Sequence, residues 1–193
     1  MKTSPARIGG SGSFRTFNFA LSAAAMLLLA SLATVRAEPG NDNRAPEMPV
    51  ALQVPDGNKV SFHAYAVGVQ IYVWTVNSTN AALASWVFKA PEAVLFDADG
   101  NVVGLHYAGP TWESNSRSKV VGARVAGVTM DASAIPWLLL RATTTEGPGI
   151  FERTTYIQRV NTVGGLAPIT AGTSIGQEAR VPYTAEYFFY HAH

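Results

Sequence analysis

His106 and Glu113 are of the right types to exchange a proton. They lie within one constrained run, Gly104-Leu-His-Tyr-Ala-Gly-Pro-Thr-Trp-Glu113. A strand end and the turn after it can bring an imidazole and a carboxylate into hydrogen-bond reach, as a general acid–base pair requires. The same letters also fit a histidine bonded in a strand-end corner and a solvent-facing glutamate. Tyr107 and Trp112 add aromatic surface, and Gly109-Pro110 fixes the backbone between them. The run is therefore either a buried corner or the wall of a pocket.

Other residue types admit other chemistry. His63, His106, His191 and His193 invite a metal, but a metal site needs three or four converging ligands. Two of these histidines lie at the end of the sequence, so no metal or other cofactor is expected. Asp97-x-Asp99-Gly-Asn101 starts like a calcium loop, yet its twelfth position is Ala108 rather than an acid. Asp-Gly as a hairpin turn explains the same residues. No Gly-x-Ser-x-Gly elbow supports a serine nucleophile. Arg117 and Lys119 suit either an anion or a solvated strand edge. Asn77-Ser-Thr79 has the spacing of a glycosylation acceptor, which matters only in a eukaryotic secretory path.

Binding chemistry is more widely spread. Alternation puts Tyr156 and Gln158 on one strand face, and Arg159 and Asn161 on the other. One of these faces must carry a polar network, either to pin the strand or to meet a ligand. Tyr72, Trp74, Trp86, Tyr107, Trp112, Trp137 and Tyr156 are either ordinary core or partly a recognition surface. As a concave site, Gln70, Tyr72, His106, Tyr107, Trp112, Tyr156, Arg159 and Asn161 would suit a sugar or another flat polar ligand.

The elements that must position these residues read as strands. Pro55-Asp-Gly-Asn58 is a turn before Val60–Val67, and Val69–Trp74 continues the alternation. Trp86–Lys89 reads as a short strand closed by Pro91. Val94–Phe96 and Val102–His106 flank an Asp-Gly hairpin turn. Further strands are expected in Lys119–Met130, Trp137–Thr145, Phe151–Val160 and Arg180–Tyr190, with short helices admitted near Ala81–Ser85 or Asp131–Ala134. The fold expected is all-β: a single antiparallel β-barrel or β-sandwich domain of about eight to ten strands, with at most short helices.

Residues 1–37 read as a signal peptide. Lys2, Arg7 and Arg15 precede the apolar run Phe19–Val35, and Val35-Arg36-Ala37 supplies small residues before a cut. Residues 38–48 form a flexible lead-in rich in Pro, Gly, Asn and Asp, and 49–193 a single β-domain. Removing the leader takes away Lys2, Arg7, Arg15 and Arg36 and no acid. The formal charge then moves from 14 − 13 to 10 − 13, or −3. No basic patch remains to suggest nucleic acid, and no membrane span is expected after cleavage. The chain has no cysteine, hence no disulfide and no thiol nucleophile. Export to the periplasm or the extracellular space is the expectation; oligomeric state is left open.

Several segments together carry a resemblance: Gly68-Val-Gln-Ile-Tyr72, Trp86-Val-Phe, Ala90-Pro-Glu-Ala93, His106–Trp112, Pro136-Trp-Leu-Leu-Leu140, Tyr156–Thr162 with Gly164-Gly165, and Val181–Tyr190. The chain resembles, over nearly the whole mature length, domain-of-unknown-function family 3455 of exported bacterial and fungal proteins. The resemblance implies a secreted, β-rich domain without an established activity. A malate dehydrogenase label on some relatives gains no support here, since no Gly-x-Gly-x-x-Gly joins a strand to a helix. Many relatives carry a cysteine after the Gln-Ile-Tyr segment and another before the last strand; this chain has neither. Relatives often show Asp-Gly-Ser where this chain has Ser116-Arg117-Ser118, so a role needing a carboxylate there does not transfer.

Three functional classes follow. The first is an exported β-domain that binds a small polar or carbohydrate-like ligand. The second is a hydrolase or isomerase using His106 and Glu113. The third is a structural or interaction protein of the envelope or matrix. Residue types alone leave open whether the protein is an enzyme.

Overall fold

The computed structural model describes residues 44–80 and 82–193. The expected signal peptide and residues 38–43 of the lead-in lie outside the described residues. Eight strands follow in order: β1 (Asn58–Val76), β2 (Ala84–Phe96), β3 (Val102–Tyr107), β4 (Thr111–Ser114), β5 (Lys119–Val128), β6 (Trp137–Glu146), β7 (Thr154–Gly164) and β8 (Glu178–Ala192). Their connections are made by local chemistry. Between β2 and β3, Asp97 Oδ1 accepts the backbone N–H groups of Asp99 at 3.0 Å and Asn101 at 2.8 Å. Gly100 supplies the left-handed residue, with φ 82°.

Each strand pairs antiparallel with the next, and β8 returns to pair with β1. That last pairing runs from Asn58↔Ala192 to Val73↔Glu178 and closes the sheet into a barrel. It decides between barrel and sandwich. The fold is all-β, and the only helical piece among the described residues is a 3-10 turn over Val50–Leu52. No helix among the described residues is long and apolar enough to cross a membrane, which says nothing about strands.

The interior follows from alternation. Tyr183, Ala185, Tyr187 and Phe189 of β8 share one buried cluster with Ala64 and Ala66 of β1, Ala93 and Leu95 of β2, and Trp112 of β4. Small residues on β1 and β2 make room for large rings on β4 and β8. One end of the barrel is plugged by Phe151 from the β6–β7 turn. Phe151 is fully buried, 4.6 Å from Phe189 and 6.0 Å from Phe62 between ring centres. The intervening β8 residues Phe188 and Tyr190 face outward and are covered by Met48, Val54, Trp137 and Tyr156. Gln158 ties this cover down. Its Nε2 donates to the Leu52 carbonyl at 2.7 Å, and its Oε1 accepts from Tyr190 Oη at 2.5 Å. Packing therefore begins at Met48, inside the expected flexible lead-in.

Three expectations need correction. Pro91 does not close a strand: β2 runs through it, paired with Gln70 of β1. On its other side β3 reaches only to Ala93, so proline's missing N–H costs no ladder bond at this unpaired edge. Neither proposed helix forms. Ala84 and Ser85 open β2, and Asp131–Ala134 is a turn in which Asp131 Oδ1 accepts from the Ser133 N–H at 2.7 Å. Ala81 lies outside the described residues. Phe151 belongs to the plug and not to a strand, because β7 starts only at Thr154.

Gly68 marks the closest strand approach. A Cβ there would lie 2.1 Å from the Glu92 carbonyl oxygen and 2.5 Å from Ala93 Cα, both backbone atoms. Gly68→Ala is expected to lower unfolding free energy by about 1–3 kcal/mol or more, since overpacking must be relieved by backbone shifts. Urea denaturation measures this; an unchanged midpoint would contradict the register.

Candidate site: the open end of the barrel

Opposite the Phe151 plug the interior is not filled. A cavity of about 520 Å³ opens there, within the range of small-molecule sites. Its lining comes from all eight strands. β1 contributes Gln70 and Tyr72, and β3 and β4 contribute His106 and Trp112. β7 contributes Arg159 and β8 contributes Tyr187. The mouth carries Phe88, Lys89 and Arg124, with Pro110 from the β3–β4 turn. Ile135, Pro136, Leu138 and Leu140 form an apolar side, and Pro91 completes the wall. No aspartate or glutamate lines it.

His106 is buried and stacks on Trp112 at 4.4 Å and 13°. Its Nδ1 lies 2.9 Å from the Thr111 carbonyl oxygen, which can only accept, so Nδ1 carries the hydrogen. Burial pushes the His106 pKa down to about 3; the Thr111 bond opposes this and the Arg159 charge adds to it. At neutral pH the ring is therefore uncharged, with Nε2 left as an acceptor.

Glu113 is elsewhere. The register pairs His106 with Trp112 and Leu105 with Glu113, so the first pair faces inward and the second outward. Outside the wall, Glu113 Oε2 accepts from Tyr107 Oη at 2.8 Å and lies 3.9 Å from Lys119 Nζ. The fold does not bring the expected acid–base pair together.

Arg159 is the charged group inside. Its Nε and Nη2 both donate to the Pro136 carbonyl, at 3.1 and 2.8 Å. A guanidinium has five N–H donors, so three remain. No carboxylate pairs with it among the described residues. Its charge reaches the hydroxyls of Tyr72, Tyr183 and Tyr187, where it opposes the upward push of burial on their pKa values. Tyr72 Oη donates to the Gly165 carbonyl at 2.6 Å. In contrast, Gln70 Nε2, Trp112 Nε1, Tyr183 Oη and Tyr187 Oη have no partner within hydrogen-bond geometry. Tyr187 Oη does lie near Arg159 and Tyr183.

Of the eight residues expected to bind, Gln70, Tyr72, His106, Trp112 and Arg159 line this cavity. Tyr107, Tyr156 and Asn161 do not. Tyr107 lies on the outer wall with Glu113, and Tyr156 packs on the outer cluster. Asn161 was expected to share a face with Arg159. A bulge between Val160 and Val163 breaks the alternation there, Asn161 adopts φ 48°, and its Nδ2 donates to Glu186 Oε1 at 2.9 Å on the outside.

The remaining candidates are dispersed. His63 Nε2 lies 2.9 Å from Glu186 Oε2 and stacks on Phe188, outside the barrel. His191 and His193 are at the plugged end, where the His193 N–H donates to the Gly57 carbonyl. Asp97 spends its oxygens on its own turn, and Asn77 Oδ1 caps another by accepting from Thr79. Arg117 is in the β4–β5 turn, and Lys119 lies between Glu113 and Glu146. Ser116 and Ser118, in place of a carboxylate, share hydroxyl bonds of 2.8 Å with Ser114. Trp74 and Trp86 pack edge to face at 5.3 Å, and Trp86 Nε1 donates to the Thr170 carbonyl in the long β7–β8 connection. Sequence reasoning missed Phe88, Arg124, Ile135 and Leu138. The apolar run Pro136–Leu140 was visible, but not which of its sides faced inward.

Fold and site together define a closed, eight-stranded antiparallel barrel with a ligand-sized cavity at one end. The chain belongs to the family described as protein of unknown function (DUF3455), whose model matches residues 55–191, nearly the whole barrel. No curated protein matches it.

Proposed function

We propose that this protein is an exported binding protein that takes a small molecule into the open end of its barrel. The observation that carries the reading is the cavity itself: about 520 Å³, walled by rigid strands and plugged at the far end. Eight-stranded barrels are just wide enough to hold one small ligand. Unpartnered buried donors beside the cavity support it further, because each such group costs about 1–3 kcal/mol unless water or a ligand meets it.

The hydrolase or isomerase reading gains less support. An acid–base pair must share hydrogen-bond reach, and Glu113 is on the other side of the wall from His106. With its pKa down to about 3, His106 is a weak base. A structural role fits a filled barrel better than one hollow at one end.

A thermal-shift screen of chemically diverse small molecules tests the proposal. A ligand at one hundred times its Kd adds about 2.7 kcal/mol, roughly 5–10 °C in Tm for a domain of this size. Leu138→Trp, which fills the apolar side of the cavity, should abolish the shift while leaving the unliganded Tm close to that of the parent. Absence of any stabilising molecule, or a shift that survives Leu138→Trp, contradicts the reading.

A further inference from the structure

Resting on that binding reading, we propose that the cavity selects an organic anion with an apolar body, its oxyanion head held by Arg159. The argument is one of donor and acceptor balance. Arg159 keeps three N–H donors after two bonds to Pro136, and no acid neutralises it among the described residues. Unpartnered donors belong to other lining residues too: Trp112 Nε1 can only donate, Gln70 Nε2 donates, and the Tyr187 hydroxyl, which lies near Arg159, can donate. A sugar's several hydroxyls both donate and accept, and against these donors the lining sets one free imidazole acceptor, His106 Nε2. A carboxylate, sulfonate or phosphate oxygen only accepts, and it satisfies these groups together with the guanidinium charge.

Shape and field agree with this. Leu138, Leu140, Ile135 and Phe88 offer an apolar side to the body of such a ligand. Arg124 and Lys89 stand at the mouth and no carboxylate lines the cavity, so the entrance favours anions before contact. Lys89 is shared with Glu178 at 2.5 Å, which leaves Arg124 as the unshared mouth cation among the lining residues.

The test uses two fluorescent dyes of the same skeleton on the full chain: anilinonaphthalene sulfonate and its neutral parent, phenylnaphthylamine. The sulfonate should bind at least about tenfold more tightly than the parent, the step one charge-assisted bond provides. Arg159→Met should reduce that ratio to near one while leaving the neutral dye within about twofold. Raising the salt concentration should lower the ratio in the unaltered protein. That measurement decides the matter if Arg159→Met fails to fold. Equal affinities in the unaltered protein, or a ratio indifferent to Arg159→Met, overturn the anion proposal while the cavity still binds. Failure of both dyes to bind overturns the binding reading itself.

Discussion

Trp112→Ala is expected to lower unfolding free energy by about 3–5 kcal/mol, the cost of truncating a large aromatic in a core. Trp112 is 1 % exposed and holds several elements at once. It stacks on His106 of β3 and meets Tyr187 and Phe189 of β8 edge to face, at 5.3 and 6.0 Å. It also lies over Gly122 of β5, where an added Cβ would come within 3.1 Å of the indole. The indole N–H has no partner, so the loss is one of packing and cavity formation, with no hydrogen bond forfeited. Trp112→Phe should recover much of the stability. Chemical denaturation measures both; a Trp112→Ala cost below about 1 kcal/mol would show that the indole is not the wall described.

Acid should destabilise the protein through His106. Its folded-state pKa, about 3, lies below the ordinary histidine value of 6.5, so the unfolded chain binds the proton first. The stabilisation from keeping the ring neutral is fully present above pH 6.5 and is lost progressively as pH falls from there toward 3. At full slope the loss is about 1.4 kcal/mol per pH unit, or roughly 2–3 kcal/mol by pH 4.5. Asp97, Asp131, Glu178 and Glu186 also have lowered pKa values, chiefly from hydrogen bonds to their carboxylates. Their contributions are present at neutral pH and are lost as pH falls through their own folded values. His106→Gln separates the two effects. The variant should keep the carboxylate part of the acid sensitivity and lose the His106 part. Parallel pH profiles for the two proteins would contradict the buried, neutral imidazole.

Local chemistry explains which parts of this molecule were legible in the sequence. The Asp-Gly turn was, because Asp97 and Gly100 make it without help from elsewhere. So was the alternation of Val69–Trp74, which put Gln70 and Tyr72 on one face; the fold is what turns that face to the cavity. Closure was not, since nothing in β1 or β8 alone specifies that Ala66 pairs with Ala185. Asn161 was misplaced by a single bulge, which reverses every side chain after it. His106 and Glu113 were separated by the β3–β4 register: with His106 opposite Trp112, the next residue must face outward. Arg124 stayed hidden for a similar reason, because β5 carries a bulge between Arg124 and Ala126. Each miss is a parity that depends on pairing between strands and is not written in residue type.

The four tryptophans give the most direct test of the central claim. Only Trp112 lines the cavity; Trp74 and Trp86 pack at the β7–β8 connection, and Trp137 covers the outer cluster. In a two-dimensional nitrogen–proton spectrum each indole N–H gives one signal, and Trp112→Phe identifies the one that matters. Titrating the sulfonate dye, or the best molecule from the thermal screen, should move the Trp112 indole signal in a saturable way while the Trp137 signal stays in place. A ligand that moves the Trp74, Trp86 or Trp137 signals and leaves Trp112 unchanged binds outside the barrel, and contradicts the account.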